Sequence, residues 1–471
     1  MEARQLNAKS TIPVILATAL TLFGCGGGVQ QAQPRKSVPT ISGGESITPT
    51  ALKAADQVQV VEANYYGHQA LRLSNGLVTV VVVPEFGGRI MEYKVADMPL
   101  LWANVAEIEG GGKAPQTAAV AAPWKNWGGY KTWPAPQDKW GGPPDPKGSQ
   151  LEGGRWVGRI VKPRGEVGEV ELTSPNDSGV TGLQITRHIK LYVGTTRLTV
   201  EETFKNTSSR TIEWSIWNVT QVPGITAPEG RPDQGALIYF PVNPKSKFKG
   251  GFRQMVQGGA DQWRVLDGGI LEVAYKHEQG KIGADSDGGW MAYVDGGKHW
   301  AYVKTYTPHP GGDYPEGGCS VEIWAAGDLP YCEMETLTPM HKLAAGATVS
   351  ATEDWYATRV GSPVQDVTDV AAVEQPVAAK RDGASVRVTG TFGVFLPGKV
   401  RVALLGADGK AVGKPVDIAA QPGATVSLNQ TLPGDATATE AVVKLVKADG
   451  SPAGTIATVK ISAVVAAGKG K

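Results

Sequence analysis

Short runs in which apolar and polar residues alternate, or in which β-branched residues follow one another, dominate the chain from about residue 56 to 357. Alternation with a period of two puts successive side chains on opposite faces of a strand, and an unbroken β-branched run fits a strand buried on both faces. Leu77-Val78-Thr79-Val80-Val81-Val82-Val83, ended by Pro84, is the clearest buried strand. Strands are predicted at 167–173, 183–192, 196–205 and 211–220, with turn residues such as Pro175-Asn176-Asp177 and Asn206-Thr207-Ser208 between them. Others follow at 235–241, 269–275, 289–295, 298–306, 319–325, 330–337 and 347–357. No segment longer than about ten residues carries a 3.6-residue apolar period. The fold class is therefore all-β, and so many strands in about 300 residues imply a large sandwich rather than a small barrel.

Beyond that region the pattern changes. Residues 358–378 are small, polar and Pro-containing and read as a linker. No Trp or Tyr follows Tyr356, and Ala and Val take over. Short strands are predicted at Ala384–Gly390, Lys399–Leu405, Ala424–Leu432 and Ala441–Lys447, with tight turns at Ala407-Asp408-Gly409 and Ala448-Asp449-Gly450. Residues 379–465 thus resemble an immunoglobulin-like sandwich. Without tryptophans or tyrosines it reads as an accessory module rather than one that stacks on sugars.

The N-terminus follows another logic. Arg4 and Lys9 precede an apolar stretch, Thr11 to Phe23, of signal-peptide length. It ends in Leu22-Phe23-Gly24-Cys25, which resembles a bacterial lipoprotein cleavage box, so residues 1–25 read as a lipoprotein signal peptide and Cys25 as the lipidated residue. An ordinary secretory signal is the alternative. Residues 26–55 read as a flexible tether. No acidic residue follows Cys25 directly, which points to the outer membrane of the cell envelope. Lipidation would leave Cys319 and Cys332 as a candidate pair, whose opposition depends on where the intervening turn centres.

Composition adds two facts. The chain holds 61 Gly in 471 residues, well above the average of about 7%, and 13 Trp against 8 Phe. Its formal charge is +1 and no basic run tracks a phosphate backbone, so no nucleic-acid partner is expected. Glu109-Gly-Gly-Gly-Lys113 lacks the spacing of a phosphate loop, and Asp285-Ser286-Asp287-Gly288 lacks the remaining ligands of a calcium loop. No cofactor and no metal site are expected.

Two segments carry candidate chemistry. Residues 123–146 hold Trp124, Trp127, Trp133 and Trp140 among six prolines and four glycines, which predicts a long irregular loop. Flat aromatic faces suit the C–H faces of sugar rings, with Lys131, Gln137, Asp138 and Lys139 as polar neighbours. A loop that merely packs its own tryptophans is the alternative. On Tyr331–Leu337, period two puts Tyr331, Glu333 and Glu335 on one face, and Glu322 on the preceding strand can approach it. Paired carboxylates in a cleft raise one another's pKa and suit proton transfer; on a solvated face they do neither.

Pro84-Glu85-Phe86-Gly87-Gly88-Arg89-Ile90, the segment Glu202 to Thr220 with Trp217-Asn218-Val219-Thr220, and Glu335-Thr336 with Pro339 and Trp355 together resemble galactose-mutarotase-like (aldose 1-epimerase-like) domains, in an uncharacterised bacterial lipoprotein branch. The resemblance covers residues 56–357 and implies a β-supersandwich whose concave face binds carbohydrate. It implies that Glu335 is the glutamate base; Glu333, on the same strand face, is a further candidate catalytic residue, and Lys131, Lys281 or Lys304 is the candidate acid or electrostatic partner. Trp127, Trp133, Gln137, Trp140, Arg89, Asn218 and Lys304 are the candidate substrate-binding residues. The histidine acid of that family has no counterpart in Glu213-Trp214-Ser215-Ile216-Trp217-Asn218; His188 and His309 lie outside the matching motif. The expectation is a carbohydrate-binding lipoprotein held to the membrane by its lipid. A sugar-active enzyme using Glu335, epimerase or polysaccharide-cleaving, is the first alternative, and a structural envelope lipoprotein is the second.

Overall fold

The computed structural model describes residues 50–110, 124–142, 149–434 and 436–462. The expected signal peptide, Cys25 and most of the tether lie outside the described residues. Among the described residues, strands make up nearly all regular structure; the one α-helix, Val105–Gly110, has six residues.

A 13-stranded and a 10-stranded sheet meet over a shared apolar core. Val80, Ile90 and Met334 enter it from the first sheet, and Val170, Ile185 and Phe204 from the second. Leu183–Tyr192 shows how the alternation works: Leu183, Ile185, Ile189 and Leu191 are buried, and the residues between them are half-buried. Arg187 interrupts that apolar row and is fully buried. It is neutralised by Glu202 at 2.5 Å and donates to Thr132 Oγ1 at 3.1 Å, as a buried charge requires.

Six strands of the first sheet position the site. They are β1 (Arg89–Val95), β2 (Tyr130–Ala135), β3 (Ile212–Pro223), β4 (Gly280–Ala284), β5 (Val321–Ala325) and β6 (Tyr331–Leu337). They lie side by side in the order β4-β5-β6-β3-β2-β1. Register places Glu335 opposite Glu322 on β5 and Val219 on β3, and Glu333 opposite Trp324 and Gln221. Lys131 of β2 in turn stands opposite Val219. Period two then puts Glu322, Glu333, Glu335, Gln221 and Lys131 on one face and Met334, Asn218 and Thr336 on the other.

The tryptophan-rich segment departs from the irregular loop expected of it, because β2 runs through its middle. Prolines argue against strands since they lack a donor. Here β2 pairs along its length with β3 but meets β1 only at Tyr130↔Ile90, so Pro134 has an open side. On that side Trp140 donates its indole N–H to the Pro134 carbonyl at 2.8 Å.

The glycine pair before β1 also has a positional role. Gly87 and Gly88 both have φ of 64°. A Cβ on Gly88 would fall 2.5 Å from the Trp156 ring, and one on Gly87 would fall 2.1 Å from the Glu152 carbonyl. Only glycine allows that approach, and it brings the segment carrying Glu152 against the sheet.

The C-terminal strands form an eight-stranded sheet that folds over its own core of Val386, Val388, Val400, Val443 and Leu445. The expected linker is structured: the strand Ala371–Asp382 begins inside it, and Val360, Val364 and Ala372 pack with Tyr356 and Phe395. Apolar residues of the expected linker are instead part of a packed core. Cys319 and Cys332 are both free and buried.

Candidate functional site

The outward face of β2 to β6 carries two ion clusters. In the first, Lys281 of β4 places its Nζ 2.6 Å from Glu322 Oε2 and 3.4 Å from Glu335 Oε2. Trp217 of β3 donates its indole N–H to the same Glu335 oxygen at 2.8 Å. Lys281 also lies over the Trp217 ring, 4.8 Å from its centroid. In the second, Glu152 is the hub. It accepts from Arg89 at 2.5 Å, from the Trp124 indole at 3.3 Å and from the Trp133 indole, and Lys131 lies 3.9 Å away. Lys131 bridges the clusters, 3.4 Å from Glu333. Gln221 completes the link by donating to Glu333 Oε1 at 2.8 Å and to Asn126 Oδ1 at 3.0 Å.

Burial sets the protonation of these groups. Loss of water pushes the Glu335 carboxyl up to about 8; Lys281 pulls it back, while Glu322 and Glu333 add to the rise. Glu322 is raised by the same burial, with Lys281 opposing. Burial lowers the Lys281 ammonium, but Glu335 and Glu322 outweigh that and hold it above the usual lysine range. Burial also works to raise Glu152, but Arg89 and Lys131 together with the indole donors bring it below the usual carboxylate range. Two environments on one face thus separate a carboxylate that stays ionised from a pair that retains a proton.

A half-exposed aromatic rim stands above this floor. Trp102 stacks on Tyr331 with centroids 4.6 Å apart and planes at 24°. Burial raises the Tyr331 hydroxyl above the usual tyrosine range, and Glu333 adds to the rise while the side chains of Asn126 and Trp324 oppose it. Trp102, Trp124 and Trp324 all keep part of their surface in solvent. Of the polar floor, Lys281 and Glu333 retain some access, with side chains 17% and 11% exposed.

The structure brings Glu333, Glu335, Lys131 and Trp133 together on this face, with Arg89 joined through Glu152. Trp140 is buried edge-on against Trp133. Trp127 is buried elsewhere, stacked on Phe86 at 4.8 Å. Gln137 packs against Gly142, beyond the Ala135 end of β2 and away from Tyr331. Two candidates point the other way. Asn218 faces the space between the sheets, accepting from Thr132 at 3.1 Å. Lys304 is fully buried there, 3.1 Å from Glu353, and burial lowers its pKa. His188, on the second sheet, faces Glu169 at 3.2 Å and is no part of this face.

Glu152, Asn126, Trp102 and the donor role of Gln221 carry no signal in the sequence. Glu152 lies in Leu151-Glu152-Gly153-Gly154, which carries no motif, and only the close approach allowed by Gly87 and Gly88 delivers it.

A family model described as a domain of unknown function, DUF4380, matches residues 159–394, half of the chain. No curated protein matches the sequence. The chain is similar to solved galactose-mutarotase-like structures. One, from Clostridium acetobutylicum, has 12% identity and a TM-score of 0.43 over 64% of this chain and 99% of that one. A galactose mutarotase related enzyme from Lactobacillus acidophilus gives 12% and 0.40 over 62% and 98%. A TPR-domain containing protein from Parabacteroides distasonis gives 12% and 0.44 over 64% of this chain, which spans 49% of that protein's length.

Proposed function

The chain belongs to the DUF4380 family, and on the geometry of its outward face we propose that it binds carbohydrate there. The observation that carries this is that Trp102, stacked on the buried Tyr331, and Trp324, paired across the strands with Glu333, keep part of their surface in solvent beside an ion-paired polar floor. Aromatic faces accept the C–H faces of a sugar, and Glu333 and Lys281 supply an acceptor and a donor for its hydroxyls. The resemblance of the sequence motifs to mutarotase-like domains supports the same ligand class. Glu335 is 1% exposed and capped by Trp217 and Lys281, which favours binding over turnover. A glycan-array screen of the full chain tests the proposal; retention of no glycan overturns it.

A second function is favoured by one observation. Glu335, poised at about 8 beside Lys281, has the protonation balance of a general acid–base group. In that case Glu335→Gln abolishes turnover of a bound glycan and spares its affinity. Equal turnover by both chains removes Glu335 from any mechanism.

We further propose that Cys25 is lipidated and tethers the chain to the outer membrane of the cell envelope. Among the described residues no helix is long and apolar enough to cross a membrane. Mass spectrometry of the mature N-terminus decides it: an acylated Cys25 is expected, and an unmodified terminus overturns it.

A further inference from the structure

Resting on the assignment of this face to carbohydrate, we infer that the ligand is an amino sugar whose free ammonium group is held at Glu333 and Gln221. Among the described residues of the floor, Arg89, Lys131 and Lys281 face four carboxylates. Each of the three cations is already ion-paired, two of them with two partners. An anionic sugar would find no unspent positive charge and would meet a surplus carboxylate instead.

Gln221 gives the second, independent sign. Its amide nitrogen donates to Asn126 Oδ1 and Glu333 Oε1. Both neighbours are acceptors, so the orientation of the amide is set by its partners. That leaves Gln221 Oε1, on a residue 1% exposed, with no donor among the described residues. A buried acceptor without a donor is costly. Beside it stands Glu333, the floor carboxylate that keeps residual access. An ammonium brings three donors and no acceptor, so it can satisfy the Gln221 oxygen and the carboxylate together. A sugar hydroxyl brings one donor and leaves the surplus charge unanswered.

The empty site meets its surplus in another way, by holding a proton on the Glu322–Glu335 pair. Glu335 is faced by Glu322 from β5, Lys281 from β4, Trp217 from β3 and Glu333 along its own strand, with Lys304 beyond the sheet. An ammonium that neutralises Glu333 removes one of the charges that keep that proton bound. Binding of the ligand therefore releases a proton.

Calorimetric titration of the full chain at about pH 6, where an amine is protonated, compares three tetrasaccharides: glucosamine, N-acetylglucosamine and galacturonate. The glucosamine tetramer is expected to bind at least about tenfold tighter than the acetylated one, and the galacturonate tetramer not measurably. Glu333→Gln should erase the preference. Where that variant does not fold, wild-type titrations in two buffers of different ionisation enthalpy give the answer. Proton release with the glucosamine tetramer supports the inference, and its absence overturns it. Equal or tighter binding of the neutral or acidic tetramer also overturns it and leaves the carbohydrate site standing. If none of the three binds, the amino-sugar inference falls; glycans retained on the array then keep the site without it.

Discussion

Glu322 and Glu335 stand opposite each other on β5 and β6 and share a single cation, Lys281, at 2.6 and 3.4 Å. Two buried carboxylates cannot both stay ionised against one ammonium at low cost, so the pair keeps a proton. That makes this corner of the sheet sensitive to pH and to the loss of the lysine.

The sign of the pH effect follows from the raised pKa. Glu335 titrates near 8 in the folded chain and near about 4.3 when unfolded. Its contribution to stability is complete below the lower value and is lost as pH rises through the upper one. The melting temperature of wild type is therefore expected to fall between pH 5 and 8. Glu335→Gln, which cannot ionise, should fall less over that window, by about 2 °C or more. Parallel curves would show that Glu335 is not the titrating group.

Lys281→Met keeps most of the length of the side chain and removes its charge. Both carboxylates then lose the cation that pairs with them among the described residues, and breaking a buried pair in this way costs about 3 kcal/mol. Denaturant unfolding should show the deficit larger at pH 8 than at pH 5, because protonation relieves the stranded acids. A deficit independent of pH would mean that Lys281 acts only through its packing on Trp217.

Much of this corner is legible in the chain itself. Alternation on Tyr331–Leu337 puts Glu333 and Glu335 on one face, and the neighbouring strand offers Glu322; both relations survive in the register. Lys131 and Trp133 share a face for the same reason. Asn218 and Lys304 illustrate the limit. Asn218 is one residue from Trp217 and Val219, which face outward, so its own side chain faces the core; which parity faces outward depends on the pairing of Val219 with Glu335. Lys304 belongs to the second sheet, and its partner Glu353 lies 49 positions away. The strand β2 is hidden by Pro134, whose tolerance depends on β1 leaving that side open. Trp102 and Trp324 stand alone in the sequence, and only folding sets them on either side of Tyr331.

Gly88→Ala tests how Glu152 reaches the floor. The added methyl would sit 2.5 Å from the Trp156 ring on a backbone with φ of 64°. A loss of at least about 1–3 kcal/mol is expected from the conformation and the clash together. If chemical denaturation shows no change, the segment carrying Glu152 is not held by this contact.

The carbohydrate site is decided by its rim. Trp102 and Trp324 are half-exposed and their rings are absent from the buried core, so Trp102→Ala and Trp324→Ala together should leave the fold intact. The most direct measurement is titration of an array-selected glycan into wild type and this double variant, with melting recorded for both. Wild type should bind and the variant should lose at least about tenfold in affinity, about 1.4 kcal/mol, at similar melting temperatures. Equal affinity in the two chains would contradict a site beneath the Trp102–Tyr331–Trp324 rim.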